Sequence, residues 1–472
     1  MTEVLYPDLC VIGAGSGGLS VAAAAASFGV SVVLVEKGKM GGDCLNYGCV
    51  PSKALLAQAK RAQLQRQALG SGAENVPLDF GKIHEYVHGV IRALAPNDSK
   101  ARLGGLGVQV IEGAAHFKDR FTIGVGDALE IKARRMVIAT GSQPAMPSIA
   151  GLESVSILTN ETIFDLTEVP QHLVVIGAGS VGLELAQAFR RLGAAVTVLE
   201  AATPLAKDDP ECAAVVLERL TREGVVIRSG VGVARVEPGP PVRLFFEGGQ
   251  GEEIIEASHL LVAAARRANV EGLLLEAAGI KYHDRGIVVD KGLRTTNRRV
   301  YAIGDVAGGL QFTHVANYHA GLVIRSALFR LPTKVDTRAM PWVTFTDPEL
   351  AQVGLNEVEA RRRHGAIRVL RWPYHENDRA QVEGNTVGHI KVITTKRGRI
   401  VGASIVGAHA GELITTWSLA VAQRLNIRTI AALIIPYPTL AELGKRAAIS
   451  YFFLSLTRPW LRSLIRLLRR FG

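Results

Sequence analysis

An apolar run, a glycine-rich turn, a small-residue stretch, a second apolar run and a closing glutamate occur in that order twice in this chain. The first copy reads LCVIGAGSGGLSVAAAAASFGVSVVLVEK and the second HLVVIGAGSVGLELAQAFRRLGAAVTVLE. In the first, Leu9–Ile12 predicts a strand, Leu19–Phe28 a helix, and Val30–Val35 a second strand ending at Glu36. Gly13, Gly15 and Gly18, with Ser16 and Gly17 between them, fit G-x-G-x-x-G. The first glycine allows a tight turn, the second lets a pyrophosphate approach the backbone, and the third lets helix and strand pack closely. The helix N-terminus then offers N–H donors and partial positive charge to the phosphates. Gly177, Gly179, Ser180 and Gly182 repeat the turn, and Glu200 stands where Glu36 does. A carboxylate there can accept hydrogen bonds from ribose hydroxyls. A lone G-x-G-x-x-G is weak evidence, but the full succession in duplicate predicts two Rossmann-like dinucleotide sites in an α/β fold.

Two of the four cysteines lie close together in GGDCLNYGCVPSK, residues 41–53. On a regular helix, Cα atoms at the spacing of Cys44 and Cys49 would be roughly 8–9 Å apart. A disulfide tolerates less than about 7 Å. A bond between them therefore requires a distorted backbone, which Gly48 and Pro51 make feasible. Such a bond should be easier to reduce than a structural one. A zinc half-site and two unrelated thiols are the alternatives. Zinc needs about four ligands, and neither a second cysteine pair nor a His-x-x-x-His run is read in the chain, so no metal site is expected.

The chain has 472 residues, too many for one ordinary core, and 48% hydrophobic against 21% charged residues marks a folded composition. Its +11 charge suits a nucleic-acid binder or an enzyme for anionic dinucleotides. Most basic residues scatter and no basic-aromatic groove motif is visible, so nucleic acid is not an expected partner. The start MTEVLYPDLC lacks a cationic region followed by an apolar one. No window gives the roughly 20 apolar residues of a membrane span. The expected location is cytoplasmic.

These segments together resemble the flavin-dependent pyridine nucleotide-disulfide oxidoreductases, the family of dihydrolipoamide dehydrogenase, glutathione reductase and mercuric reductase. GGDCLNYGCVPSK is similar to that family's redox-active disulfide segment and ATGSQP (139–144) to its crossover between domains. TNRRVYAIGDV (296–306) resembles its second flavin-contact segment and FTDPELAQVG (345–354) the opening of its dimer-interface domain. The resemblance implies an FAD-binding domain at 1–149, an NAD(P)-binding domain at 150–266, a central segment at 267–336 completing the FAD domain, and an α+β dimerisation domain at 337–448.

It also implies roles. Cys44 would be the interchange thiol facing a small-molecule acceptor, and Cys49 the charge-transfer thiol against FAD. Lys53 and Glu184 would pair near flavin N5, and Asp305 would face the ribityl chain. Further FAD contacts are implied at Gly13, Gly15, Ser16, Gly17, Gly18, Glu36, Lys37, Gly42, Asp43, Ala115, Thr140 and Gly141. The nicotinamide nucleotide would lie on Gly177, Gly179, Ser180, Gly182 and Glu200. Glu200 would bond a ribose 2′-OH and repel a 2′-phosphate, and AATPLAK after it holds no arginine. NADH is therefore expected, with NADPH the alternative. Hydride would pass from nicotinamide to flavin, electrons onward to the disulfide, and Cys44 thiolate would act on the acceptor. A homodimer is implied, with each active site completed by the other subunit.

The chain departs from that family near its end. Dihydrolipoamide dehydrogenase and glutathione reductase carry His-Pro-Thr-x-x-Glu, whose histidine is the acid and base for the interchange thiol. Here the segment is Tyr437-Pro438-Thr439-Leu440-Ala441-Glu442. Histidine titrates near pH 6.5 and tyrosine near 10, and acid–base catalysis typically contributes 10²–10⁴-fold. Mercuric reductase resembles this chain in having tyrosine there, although its vicinal C-terminal cysteine pair and frequent N-terminal metal-binding domain are missing. The acceptor therefore stays open among a metal ion, a disulfide or dithiol, and a quinone, and Tyr437 could instead be a packed interface aromatic. A flavin-binding interaction protein is the non-catalytic rival, against which the intact cysteine pair argues.

Residues 449–472 form a basic amphipathic tail. On a helix, Trp460, Leu461, Leu464, Ile465, Leu468 and Phe471 share one side, with Arg462, Arg466, Arg469 and Arg470 mostly opposite. That pattern reads either as peripheral contact at the inner face of a membrane or as packing on a partner subunit.

Overall fold

The computed structural model describes residues 2–70, 78–248, 251–453 and 459–471. They form two compact units: residues 1–177, 188–201 and 231–335 in the first, and 178–187, 202–230 and 336–472 in the second.

The first unit is built on a five-stranded parallel sheet. Its order is Val300–Ala302, Arg135–Ile138, Leu9–Ile12, Val32–Glu36 and Val108–Glu112. Leu9–Ile12 is buried throughout, as an unbroken apolar run in a sheet covered on both faces should be. The strand order reverses between Leu9–Ile12 and Arg135–Ile138, and in open α/β sheets a ligand crevice opens at the carboxyl ends beside such a reversal. A second set of parallel strands runs Ile157–Leu158, His259–Val262, His172–Ile176 and Ala195–Glu200. Ser142–Pro144 and Arg266–Ala268 pair as a two-stranded ribbon.

The first glycine-rich turn differs slightly from its sequence reading. The helix spans Ser16–Ser27 and the second strand Val32–Glu36. The helix starts earlier because the third glycine is already inside it: a Cβ on Gly18 would meet Gly13 O at 1.8 Å. The strand starts later because Gly29, at φ +72°, turns the chain and Ser31 first ties back to Leu9 N.

The second unit centres on a five-stranded antiparallel sheet: Pro341–Thr344, Glu349–Gly354, Ile400–Gly407, His389–Thr395 and Ile367–Pro373. Helices Ala410–Ala422, Ile427–Ala431 and Glu442–Ser450 supply Trp417, Ile414, Ile430 and Leu443 to its core. Lys391, whose side chain is 4% exposed, lies 2.9 Å from Asp209, 2.8 Å from Glu211 and 3.2 Å from Glu357.

The tail does not begin at 449: Ile449 and Ser450 finish a helix, and Tyr451 is buried with its hydroxyl donated to Lys396 O. Residues 454–458 and 472 of the predicted tail lie outside the described residues. Pro459–Leu468 is helical and buries no residue. No helix among the described residues is long and apolar enough to cross a membrane.

Candidate redox and dinucleotide site

A break between two helices brings the cysteines together. Gly42–Asn46 is a short helix, Tyr47 and Gly48 leave helical geometry, and the helix Cys49–Leu69 begins at the second thiol. Gly48 (φ −123°, ψ −109°) is the distortion that a Cys44–Cys49 bond requires. Pro51 lies in the first turn of the second helix, where its missing N–H is no loss. Both cysteines are free thiols in this structure, the reduced form of the pair.

The two sulfurs divide one proton. A hydrogen bond to Cys49, then burial, pushes the Cys44 thiol up. The same bond pulls Cys49 down to about 6, with desolvation opposing and Thr313 and the Lys53 ammonium assisting. Thr313 Oγ1 is 3.4 Å from Cys49 Sγ. Near neutral pH the proton therefore resides on Cys44 and Cys49 is a thiolate, the form that donates electrons.

The residues around this pair fit a dinucleotide. No side chain caps Gly15 and no acid lies in the first turn of Ser16–Ser27, so its N–H groups are left for an anion. Gly13 (φ +102°) cannot carry a side chain, since its Cβ would meet Ala139 O at 2.5 Å. Gly42 (φ +61°) faces Gly15, whose Cα would lie 2.7 Å from a Cβ there. This packing places the redox segment beside the first glycine turn. Glu36 accepts from Ala14 N and, at 2.7 Å, from Gly38 N, so its carboxylate stands at the turn. Thr140 and Asn269 exchange two hydrogen bonds, of 2.7 and 2.9 Å, and Asn269 N also bonds Gly141 O. Gly17 is buried in the first helix, Ala115 is buried at the start of Ala115–Phe117, and Lys37 is exposed.

Asp43 and Asp305 meet through an arginine that sequence reading missed. Arg266 pairs with Asp43 at 3.2 Å and donates to Ser142 Oγ at 2.8 Å, and Ser142 donates to Asp305 at 2.6 Å. Asn160 donates to Asp43 at 3.0 Å. Burial holds the Asp305 carboxyl above its ordinary value, with Ser142 and Arg266 opposing. Only the RR dipeptide at 266–267 hinted at this, and spacing cannot say which carboxylate it serves.

The second glycine turn copies the first. Gly177 N bonds Leu199 O at 2.8 Å, as Gly13 N bonds Val35 O, and a Cβ on Gly177 would meet Ala263 O at 2.7 Å. Gly179 has open space around its Cβ position, Ser180 begins the helix Ser180–Leu192, Gly182 is buried in it, and Glu200 ends Ala195–Glu200.

The remaining predicted residues belong to the second unit. Glu184 is 4% exposed and accepts from Phe345 N at 2.9 Å. Tyr437 is 70% exposed, so within one chain it is not a packed aromatic, and its hydroxyl donates to Asp378 at 2.8 Å. That bond pushes the phenol pKa up. Glu442 opens the helix Glu442–Ser450. Asp378 was not legible, since nothing local links it to Tyr437. His84 and His88, a His-x-x-x-His pair in the helix Phe80–Leu94, also escaped the sequence reading; their rings are 4.3 Å apart. Still, no group of three or more ligating side chains is arranged to hold a metal ion among the described residues.

A family model described as "Pyridine nucleotide-disulphide oxidoreductase" matches residues 7–320. The chain belongs to this family. The family's dimerisation-domain model matches residues 340–448. Over 450 residues the chain is 36% identical to mercuric reductase of Staphylococcus aureus, covering 94% of this chain and 82% of that one. It is 36% identical over 451 residues to dihydrolipoyl dehydrogenase of Geobacillus stearothermophilus, covering 93% and 95%. Among solved structures, the Cu(II) complex of the HOCl-induced flavoprotein disulfide reductase RclA from Escherichia coli aligns with TM-score 0.85 and 29% identity over 95% of this chain and 100% of that one. The pyridine nucleotide-disulphide oxidoreductases are FAD-dependent enzymes that use NAD(P)H, so the α/β fold, the enzyme class and both cofactors expected from the sequence hold. Bound FAD supplies the chemistry that converts a hydride into electrons for a disulfide.

Proposed function

We propose that this protein is an NADH-dependent reductase of the mercuric-reductase-like kind, with a thiophilic metal ion as acceptor and weak activity toward dihydrolipoamide. The Tyr437–Asp378 hydrogen bond carries the reading. A phenol whose pKa is raised by a carboxylate stays protonated at neutral pH. It can steer or hydrogen-bond a ligand but cannot take the proton of a dithiol, as an imidazole would. The likeness to mercuric reductase and to a reductase solved with Cu(II) supports the same choice. NADH gives two electrons and leaves NAD⁺ and a proton; Hg²⁺ taking both becomes Hg⁰. Similarity to dihydrolipoyl dehydrogenase favours a dithiol as the second reading.

On this proposal residues 1–149 and 267–336 hold FAD, 150–266 hold NADH, and 337–448 form the homodimer. Cys44 is the interchange thiol, Cys49 the charge-transfer thiol, and Lys53 with Glu184 flanks the flavin. Tyr437 and Glu442 of one subunit complete the site of the other. Glu200 sets the preference for NADH by repelling a 2′-phosphate. The tail makes peripheral contact with the inner face of a membrane, which would also bring quinones within reach as acceptors.

Purified protein assayed with Hg²⁺, dihydrolipoamide, glutathione disulfide and a quinone, each against NADH or NAD⁺ as the direction requires, tests the choice. Lipoamide turnover at ordinary enzymatic rates would reject it. A kcat/KM for NADPH well above that for NADH would reject the role of Glu200, and a fully active monomer would reject the shared site.

A further inference from the structure

We infer that the helix Pro459–Leu468 is a binding element for anionic lipid headgroups, lying in the plane of the surface; this rests on the peripheral-membrane reading of the tail. At 3.6 residues per turn, Trp460, Leu461, Leu464, Ile465, Leu467 and Leu468 fall in one arc. Arg462 and Arg466 occupy the opposite arc with Ser463. The turn continues past the helix, with Arg469 N bonding Ile465 O and Arg470 N bonding Leu467 O, so both further arginines extend the cationic side. Phe471 closes the apolar side.

No residue of this helix is buried; Trp460 is 60%, Ile465 49% and Phe471 81% exposed. Ten residues at about 1.5 Å rise make roughly 15 Å, half the hydrocarbon thickness of a bilayer, so the helix lies on a membrane and does not cross it. Tryptophan and phenylalanine at its two ends suit the headgroup boundary. Charge chooses the occupant. The stretch 459–472 carries four arginines and no acidic residue. A second copy of the helix would add four more arginines and no carboxylate to offset them. An anionic bilayer neutralises them, and the +11 charge of the whole chain adds long-range attraction.

The test uses the full-length FAD-loaded protein and sedimentation with vesicles of phosphatidylcholine alone or mixed with phosphatidylglycerol. Binding is expected on the mixed vesicles only, and is lost near 1 M salt, where the screening length falls to about 3 Å. The double variant Arg462→Gln/Arg466→Gln should partition about 30-fold less, at roughly fivefold per arginine. Ile465→Glu should abolish binding, and both variants should keep the parent rate of NADH oxidation. A blue shift of Trp460 emission on mixed vesicles, absent in Trp460→Phe, gives an independent reading. Equal binding to both vesicle types overturns the headgroup assignment while leaving membrane contact standing. No binding to either overturns both. A smaller sedimentation coefficient for Ile465→Glu, without vesicle binding by the parent, overturns the proposal by assigning the face to a second copy.

Discussion

Arg266 Nη2 lies 3.2 Å from Asp43 Oδ2, on the residue immediately before Cys44, the proposed interchange thiol. The same guanidinium donates to Ser142 Oγ and, at 3.0 Å, to Ser142 O, and Ser142 donates to Asp305. One side chain thus ties the redox segment to the crossover ribbon and to the carboxylate proposed for the ribityl chain.

Removing that tie should loosen FAD. Arg266→Met leaves Asp43 without its cation and pushes the Asp305 carboxyl further up, because Arg266 is one of the groups opposing burial there. We expect a loss of about 1–3 kcal/mol in stability from the broken charged hydrogen bonds and a lower FAD content after gel filtration. Arg266→Lys should recover part of both, since it keeps the charge but loses the fork. Full FAD retention in Arg266→Met would contradict the tie.

The reduced pair should titrate asymmetrically. Cys49, held near 6, is a thiolate above that pH and a thiol below it. The thiolate-to-flavin absorbance of the two-electron-reduced protein should therefore fade as pH drops through about 6. Cys44→Ala removes the largest cause of the low value, so the fade should move to higher pH. An unmoved midpoint in that variant would show that Lys53 and Thr313 suffice.

Tyr437→His should open the dithiol reaction. An imidazole in that position would supply the acid–base step, worth about 10²–10⁴-fold. Dihydrolipoamide:NAD⁺ activity should rise by at least about tenfold on that scale, while NADH oxidation with a metal ion falls. A variant no better than the parent with dihydrolipoamide would mean that the barrier lies elsewhere.

Lys391 anchors the second unit. Burial alone would depress its pKa, yet hydrogen bonds to Glu211 and Asp209 lift it to about 12. Its stabilisation is complete below the ordinary lysine value and disappears as pH climbs through about 12. Glu211, drawn down to about 2 chiefly by Arg371, contributes above the ordinary carboxylate value and loses its contribution as pH falls through about 2. Lys391→Met leaves the fully buried Asp209 unpaired and should cost about 3–5 kcal/mol. Urea denaturation of the variant, compared with Lys391→Met/Asp209→Asn, measures it; the double variant should recover part of the loss.

Gly42→Ala should prevent FAD uptake. It forces an L side chain into φ +61° with its Cβ 2.7 Å from Gly15 Cα. Stoichiometric FAD in the purified variant would refute the close approach.

Much of this molecule could be read from local pattern. Gly13 and Gly177 announce their turns because only glycine tolerates φ near +100° with a carbonyl where Cβ would be. The helix break at Gly48 could be foreseen because a regular helix keeps residues at the spacing of Cys44 and Cys49 too far apart. His84 and His88 were equally legible and were passed over.

The sequence by itself determined the two glycine turns, the breakable helix at the cysteines and the two-sided tail, because backbone sterics and helical periodicity act over a few residues. Tertiary structure alone decided that Thr313, 264 positions away, stands against Cys49, that Arg266 serves Asp43, and that Asp378 receives the Tyr437 hydroxyl. Those partners are set by strand order and chain crossings, and a side chain's titration follows its neighbours in space, which spacing along the chain does not encode.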